Sequence, residues 1–223
     1  MKAFKADLDN KKDQSILKPN SHYSNNQAHQ VNEAAKKIYE LIKDARYSND
    51  GIVLNHIKIR EAFFSPFEPQ LKNAQVFLSH SHADKNKALK VKNYLENQTK
   101  RKVFIDSLFW DYKDDVLNKL AKYDDISRIE DAFTLILRES LEYMIKKCPY
   151  FVFLQSKNSV SNQGLSRITY SAWIYEELKI AHSISESRPI PMMESMQVFH
   201  DISPFLKSFE TITLKKLSQQ INS

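Results

Sequence analysis

Glycine is scarce in this chain, with two among 223 residues. That argues against glycine-rich phosphate-binding loops and against folds with many tight turns. A single cysteine, Cys148, excludes an intramolecular disulfide and multi-cysteine metal sites, and it fits a reducing cytosol. No apolar run approaches the roughly 20 residues that span a bilayer. The opening residues, MKAFKADLDNKKD, are too polar for a secretory signal. The expectation is a cytoplasmic protein with no membrane partner. One-signed charge blocks are also missing. Residues 1–74 hold 12 Lys+Arg against 9 Asp+Glu and the remainder hold 21 against 18, so each part contributes +3 to the net +6. Nucleic-acid binders concentrate positive charge on one face or helix. A spread excess is weak evidence for such a partner, and a small anionic ligand such as a dinucleotide is equally compatible.

What is present divides the chain into three parts. Residues 1–27 are rich in Lys, Asn and Ser and are read as a disordered or extended N-terminus. Residues 28–70 are read as a helical extension. From Ala28 to about Tyr47, Val31, Ala34, Ala35, Ile38, Leu41, Ile42 and Ala45 recur at helical spacing. Residues 52–64 are ambiguous between helix and strand, and Ser65-Pro66-Phe67-Glu68-Pro69 marks the boundary. From 71 to 223 strand-like and helix-like segments alternate. Strands are expected at Val76–Ser79, Lys102–Asp106, Tyr150–Leu154 and Phe209–Leu214, and helices at Lys85–Glu96, 131–146 and Ser171–Ser185. Gln155–Tyr170 reads as a polar loop. This alternation implies an α/β fold, an open, flavodoxin-like parallel sheet of about five strands with helices on both faces. The unbroken apolar run at Tyr150–Leu154 marks a central strand.

The chain is organised around Val76-Phe77-Leu78-Ser79-His80-Ser81-His82-Ala83-Asp84, a short strand followed by a polar turn. Ligands of open α/β sheets bind at such strand ends. The plainest role for Asp84 is an N-cap or first-turn acid. His80, His82 and Asp84 also match most of the His-x-His-x-Asp-His zinc run of metallo-β-lactamases. Lys85 stands where that run needs a histidine, and the downstream candidates His182 and His200 carry no clear motif.

Four segments in order resemble a bacterial Toll/interleukin-1 receptor (TIR) domain over about residues 74–215. They are Val76–Ser79 with its polar loop; Val103-Phe104-Ile105-Asp106; Phe151–Ser156 with Asn158 and Ser159; and Ser171-Ala172-Trp173-Ile174-Tyr175-Glu176-Glu177-Leu178. The last is similar to the family's Trp-x-x-x-Glu-Leu segment. Many bacterial TIR domains cleave the nicotinamide–ribose bond of NAD, releasing ADP-ribose or a cyclic relative, often in antiphage defence. The resemblance implies NAD as substrate, with no cofactor and no metal. It implies Glu177 as the catalytic carboxylate, four residues after Trp173 and on the same helical face. Ser79, His80, Ser81, Asp106, Phe109, Trp110, Ser156, Asn158 and Trp173 would line the nucleotide site. Phe109 and Trp110 equally suit a role covering the sheet end. TIR–TIR self-association and a separate sensor or effector protein are the implied partners. The chain departs from the family in lacking Gly and Pro across residues 107–130, which leaves its mode of assembly open.

Other functions fit parts of the pattern. A non-catalytic TIR interaction module would keep the same helix as structure. A zinc hydrolase would use His80, His82 and Asp84. A nucleoside deoxyribosyltransferase-like enzyme would share the sheet and a ribose-binding glutamate but ignore NAD.

Overall fold

A computed structural model of the chain describes residues 1–17, 36–41, 47–48, 51–52, 56–64, 73–105, 114–119, 121, 127–163, 166–185 and 200–223. In chain order the elements are β1 (Lys2–Asp7), α1 (Lys11–Ile16), β2 (Tyr47–Ser48), β3 (Gly51–Ile52), α2 (His56–Phe64), β4 (Ala74–Ser79), a 3-10 turn (His82–Asp84) and α3 (Lys85–Thr99). There follow β5 (Lys102–Ile105), α4 (Ser127–Lys147), β6 (Tyr150–Gln155), β7 (Ser161–Gln163), β8 (Ser166–Thr169), α5 (Ala172–Ser185), β9 (His200–Asp201), α6 (Ser203–Ser208), β10 (Glu210–Thr211) and α7 (Leu214–Asn222). They fall into two compact units. One comprises Met1–Asn20, Asn73–Ser107 and Leu141–Ser223, and the other Ser21–Lys72 and Leu108–Ser140.

The first unit holds a five-stranded sheet in the order β10-β1-β6-β4-β5, with every pair parallel. This is an α/β architecture flanked by helices. β6 is central, and Phe151 to Leu154 are all buried, as a parallel strand covered on both faces requires. β4 is buried in the same way from Val76 to Ser79. Across three strands Phe77 stacks on Phe151 at 5.6 Å and meets Phe104 tilted at 5.5 Å, and Phe209 packs edge-on against Phe151 at 5.7 Å. Helix α3 turns Ala88, Leu89, Val91, Leu95 and Thr99 inward. Its C-terminal cap is Lys100 in the left-handed region at φ 57°, a place glycine usually takes. The edge strand foreseen at Phe209–Leu214 is the two-residue β10.

Over residues 1–17 the N-terminus forms a strand and a short helix in place of the expected disorder. Lys2–Asp7 is an interior strand, paired with β6 along its length and with β10 on the other side. Phe4 and Ala6 are 1% and 2% exposed. Counted from β4, the order β5-β4-β6 follows the first half of the 2-1-3-4-5 flavodoxin sequence. The fourth place is then taken by β1, from the start of the chain. The core unit therefore includes residues that the boundaries 1–27 and 71–223 had separated. Residues 18–27 lie outside the described residues.

The second unit includes helical residues 36–41, with Ile38 buried, and α2, with Ile59 and Ala62 buried. Of the helix expected from Ala28 to about Tyr47, residues 36–41 are helical, Tyr47–Ser48 pairs antiparallel with Gly51–Ile52, and the rest lies outside the described residues. The ambiguous 52–64 segment is mainly helix. An open cleft of about 800 Å³ in this unit is lined by Lys36, Lys37, Glu40, Leu41, Lys58, Glu61 and Ala62. The expected loop at Gln155–Tyr170 contains β7 and β8, an antiparallel pair to which β9 adds a third strand. None of the described helices is long and apolar enough to cross a membrane.

Candidate functional site at the carboxyl edge of the sheet

β1, β6 and β4 are consecutive neighbours, so their carboxyl ends lie side by side. Ligand crevices of open parallel sheets form where the chain leaves adjacent strands in opposite directions. Here that point falls between β4 and β6. The chain steps outward from β4 to β5, then returns past β4 to β6.

Asp84 is the hub of this edge. It sits at the N-cap position of α3, yet its side chain makes no capping bond. Its Oδ2 accepts from Ser156 Oγ, and its Oδ1 accepts from Asn158 Nδ2 at 3.0 Å. Lys87 Nζ stands 3.6 Å from the same Oδ1. Asp84 is 2% exposed, and a carboxylate at such depth needs hydrogen-bond partners. The expected capping role is thus replaced by a tie between the loops after β4 and β6.

Ser156 is fully engaged. Its hydroxyl donates to Asp84 and accepts the backbone N–H groups of Asn158 at 3.0 Å and Ser159 at 3.2 Å. One donor and two lone pairs are all a hydroxyl has. Ser156 therefore holds the loop in this arrangement. Ser159 Oγ accepts from Ser156 N at 2.8 Å and donates to Ser156 O at 3.1 Å, closing the turn on itself.

The third strand end joins the same network. Asp9, just past β1, accepts from Lys157 N at 3.1 Å and pairs with Lys87 Nζ at 3.0 Å. The hydrogen bond from Lys87 is the main reason that the Asp9 carboxyl is held below the usual range, and Lys157 N adds to it. Asp9 in turn raises the Lys87 amine. Both side chains are more than a third exposed, so the pair is energetically slight.

The remaining expected residues divide into three groups. Ser79 ends β4 fully buried, and its Oγ has no hydrogen-bond partner among the described residues. His80 is 3% exposed, and Ser81 is half-buried with its carbonyl accepting from Asp84 N at 2.8 Å. Asp106, Phe109 and Trp110 lie outside the described residues. Trp173 and Glu177 are on α5, which packs against β1, β8 and α6. Trp173 is half-buried and Glu177 is 0% exposed. The neighbouring Glu176 is partly open and pairs with Lys179 at 3.6 Å. Of the two adjacent acids, Glu177 is the one turned inside, a rare place for a glutamate.

The structure thus brings the Ser79–Ser81 turn together with Ser156 and Asn158, and places Glu177 on a helix beside β1. Asp84, Lys87 and Asp9 are additions. Asp84 carried a sequence signal that pointed to capping, and Asp9 carried none. Among the described residues no three His, Cys, Asp or Glu side chains group as a metal would need. His82 is exposed, and the Asp84 carboxylate is committed to Ser156 and Asn158, so the zinc alternative loses its ligand set. Cys148 is buried, with its thiol pushed up to about 12 by burial, which makes it inert as a nucleophile.

No protein-family model, curated protein or solved structure matches this chain.

Proposed function

We propose that this protein is a TIR-like enzyme that cleaves the nicotinamide–ribose bond of NAD, with Glu177 as the catalytic carboxylate. One observation carries the reading. The loops after β4 and β6, whose segments Ser79–Ser81 and Ser156–Ser159 resemble the family's, are tied together through Asp84 at the switch point of an open parallel sheet. Nicotinamide in NAD is cationic and leaves without a general acid. Its departure gives the ribose oxocarbenium character, as in glycoside cleavage. A fixed carboxylate in a water-poor pocket stabilises that charge. Water then yields ADP-ribose, or an internal nucleophile of the nucleotide yields a cyclic product. No bound metal or cofactor enters the scheme. In this reading the protein acts in bacterial antiphage defence, assembles through TIR–TIR contacts, and relies on a separate sensor or effector protein.

The test is purified protein with NAD, following nicotinamide and nucleotide products by chromatography and mass spectrometry. Glu177→Gln should lower nicotinamide release about 100-fold or more. Release that survives this substitution would remove Glu177 from the chemistry. Glu177 is fully buried, so cleavage requires substrate binding to uncover it. That burial favours a second reading, a non-catalytic interaction module in which Glu177 is structural. It predicts no turnover at any protein concentration, together with self-association visible by light scattering.

A further inference from the structure

We propose that the Asp9–Lys87 pair is an exchangeable strap at the β4–β6 switch point, and that the diphosphate of a nucleotide ligand takes Lys87 away from Asp9. The inference rests on placing the nucleotide at this strand edge, not on any bond being cleaved there.

Lys87 lies between two carboxylates, 3.0 Å from Asp9 Oδ1 and 3.6 Å from Asp84 Oδ1. The two carboxylates differ in kind. Asp84 is buried and held by Ser156 and Asn158, so it is a fixed point. Asp9 is 39% exposed at its side chain and Lys87 is 38% exposed, so solvent and solutes reach their contact. An ion pair this open contributes little, and its loss costs little. A diphosphate offers the same amine a denser negative charge and charge-assisted hydrogen bonds. Beneath this edge, the buried Ser79 Oγ has no hydrogen-bond partner among the described residues. Buried polar groups are seldom left so in native proteins.

Asp9 comes from the loop after β1, so the N-terminal strand makes the first residues of the chain part of the site. Its carboxylate acts as a resident competitor for the ligand. The cleft in the second unit is a weaker candidate, because its three lysines alternate with Glu40 and Glu61.

The competitor role predicts effects of opposite sign at the two ends of one ion pair. Asp9→Asn keeps the side chain's shape and an acceptor for Lys157 N but removes the charge. Titration calorimetry with ADP at fixed ionic strength would compare the wild type, Asp9→Asn, Lys87→Gln and the double variant. Asp9→Asn should bind ADP about threefold to tenfold more tightly, and Lys87→Gln about tenfold more weakly. The double variant should match Lys87→Gln, and adenosine, which lacks phosphate, should not distinguish the four proteins. ADP that fails to bind the folded wild type would overturn the proposal, as would Asp9→Asn that fails to tighten binding or Lys87→Gln that leaves it unchanged. Nicotinamide release from NAD, measured in parallel, separates the two ideas. Reciprocal ADP effects without release would retire the cleavage reading alone. Release without reciprocal effects would retire the strap alone.

Discussion

β6 and β1 are neighbours in one sheet, each paired on both sides, but they are built from different residues. β6 reads Tyr-Phe-Val-Phe-Leu-Gln, and four consecutive side chains are buried. β1 reads Lys-Ala-Phe-Lys-Ala-Asp, and only Phe4 and Ala6 are buried. On its other face, Lys5 is half-buried and its amine donates to the carbonyl of Leu206. A parallel strand covered on both faces has to be apolar at every position. A parallel strand with one face partly open needs apolar residues only on alternate positions. Interior rank in a sheet and apolar content are thus separate properties.

Emptying the core beneath each strand should give the largest effects. Phe151→Ala and Phe4→Ala, at sites 0% and 1% exposed, should each cost about 3–5 kcal/mol of stability in denaturant unfolding. If Phe4→Ala cost less than about 1 kcal/mol, β1 would be an adornment of the sheet and not a member of it. Next in size is the tie between strand ends. Asp84→Ala strands the partner groups of Ser156 and Asn158 and should cost about 1–3 kcal/mol, with Asp84→Asn recovering part of the loss.

The smallest effects come from two carboxylates that follow β1, and they should have opposite signs. Asp9 is held below the usual carboxylate range, chiefly by its hydrogen bond from Lys87. Its contribution is present above the unfolded carboxylate pKa and is lost as pH falls through the lower folded value. Asp13 is pushed up, chiefly by burial, despite accepting from Leu214 N at 3.3 Å. Its contribution is fully present below the unfolded pKa and is lost as pH rises through the higher folded value. At neutral pH Asp13→Asn should therefore raise the melting temperature, whereas Asp9→Asn should lower it slightly and flatten the acid decline. Equal shifts in the same direction would mean that neither carboxylate senses the fold in this way.

Much of the parallel sheet was legible because its strands announce themselves. Val76–Ser79, Val103–Ile105 and Phe151–Leu154 are short apolar runs, and each formed a strand where expected. β1 was not legible, since two buried side chains among charged neighbours resemble a solvated segment. β7 and β8 were hidden for a related reason, because Ser161–Gln163 and Ser166–Thr169 are polar and pair in a small antiparallel sheet. At the candidate site, the resemblance singled out Glu177 over Glu176; the structure buries Glu177 fully and leaves Glu176 partly open beside Lys179. Asp84 was read locally as a helix cap. Its actual partners are more than 70 residues away in the chain, and no local rule reports them.

Hydrophobic patterning expresses which faces leave water, and from the sequence it dictated the α/β class and the central place of Tyr150–Leu154. Tertiary structure alone decided that the N-terminus supplies an interior strand and that Asp84 binds Ser156 and Asn158 rather than capping its helix. It also decided that Asp9 and Lys87 meet. These outcomes depend on which strand ends become neighbours, and that adjacency is set by the whole sheet. A buried carboxylate takes the strongest donors brought within reach, and only the assembled fold determines which donors those are.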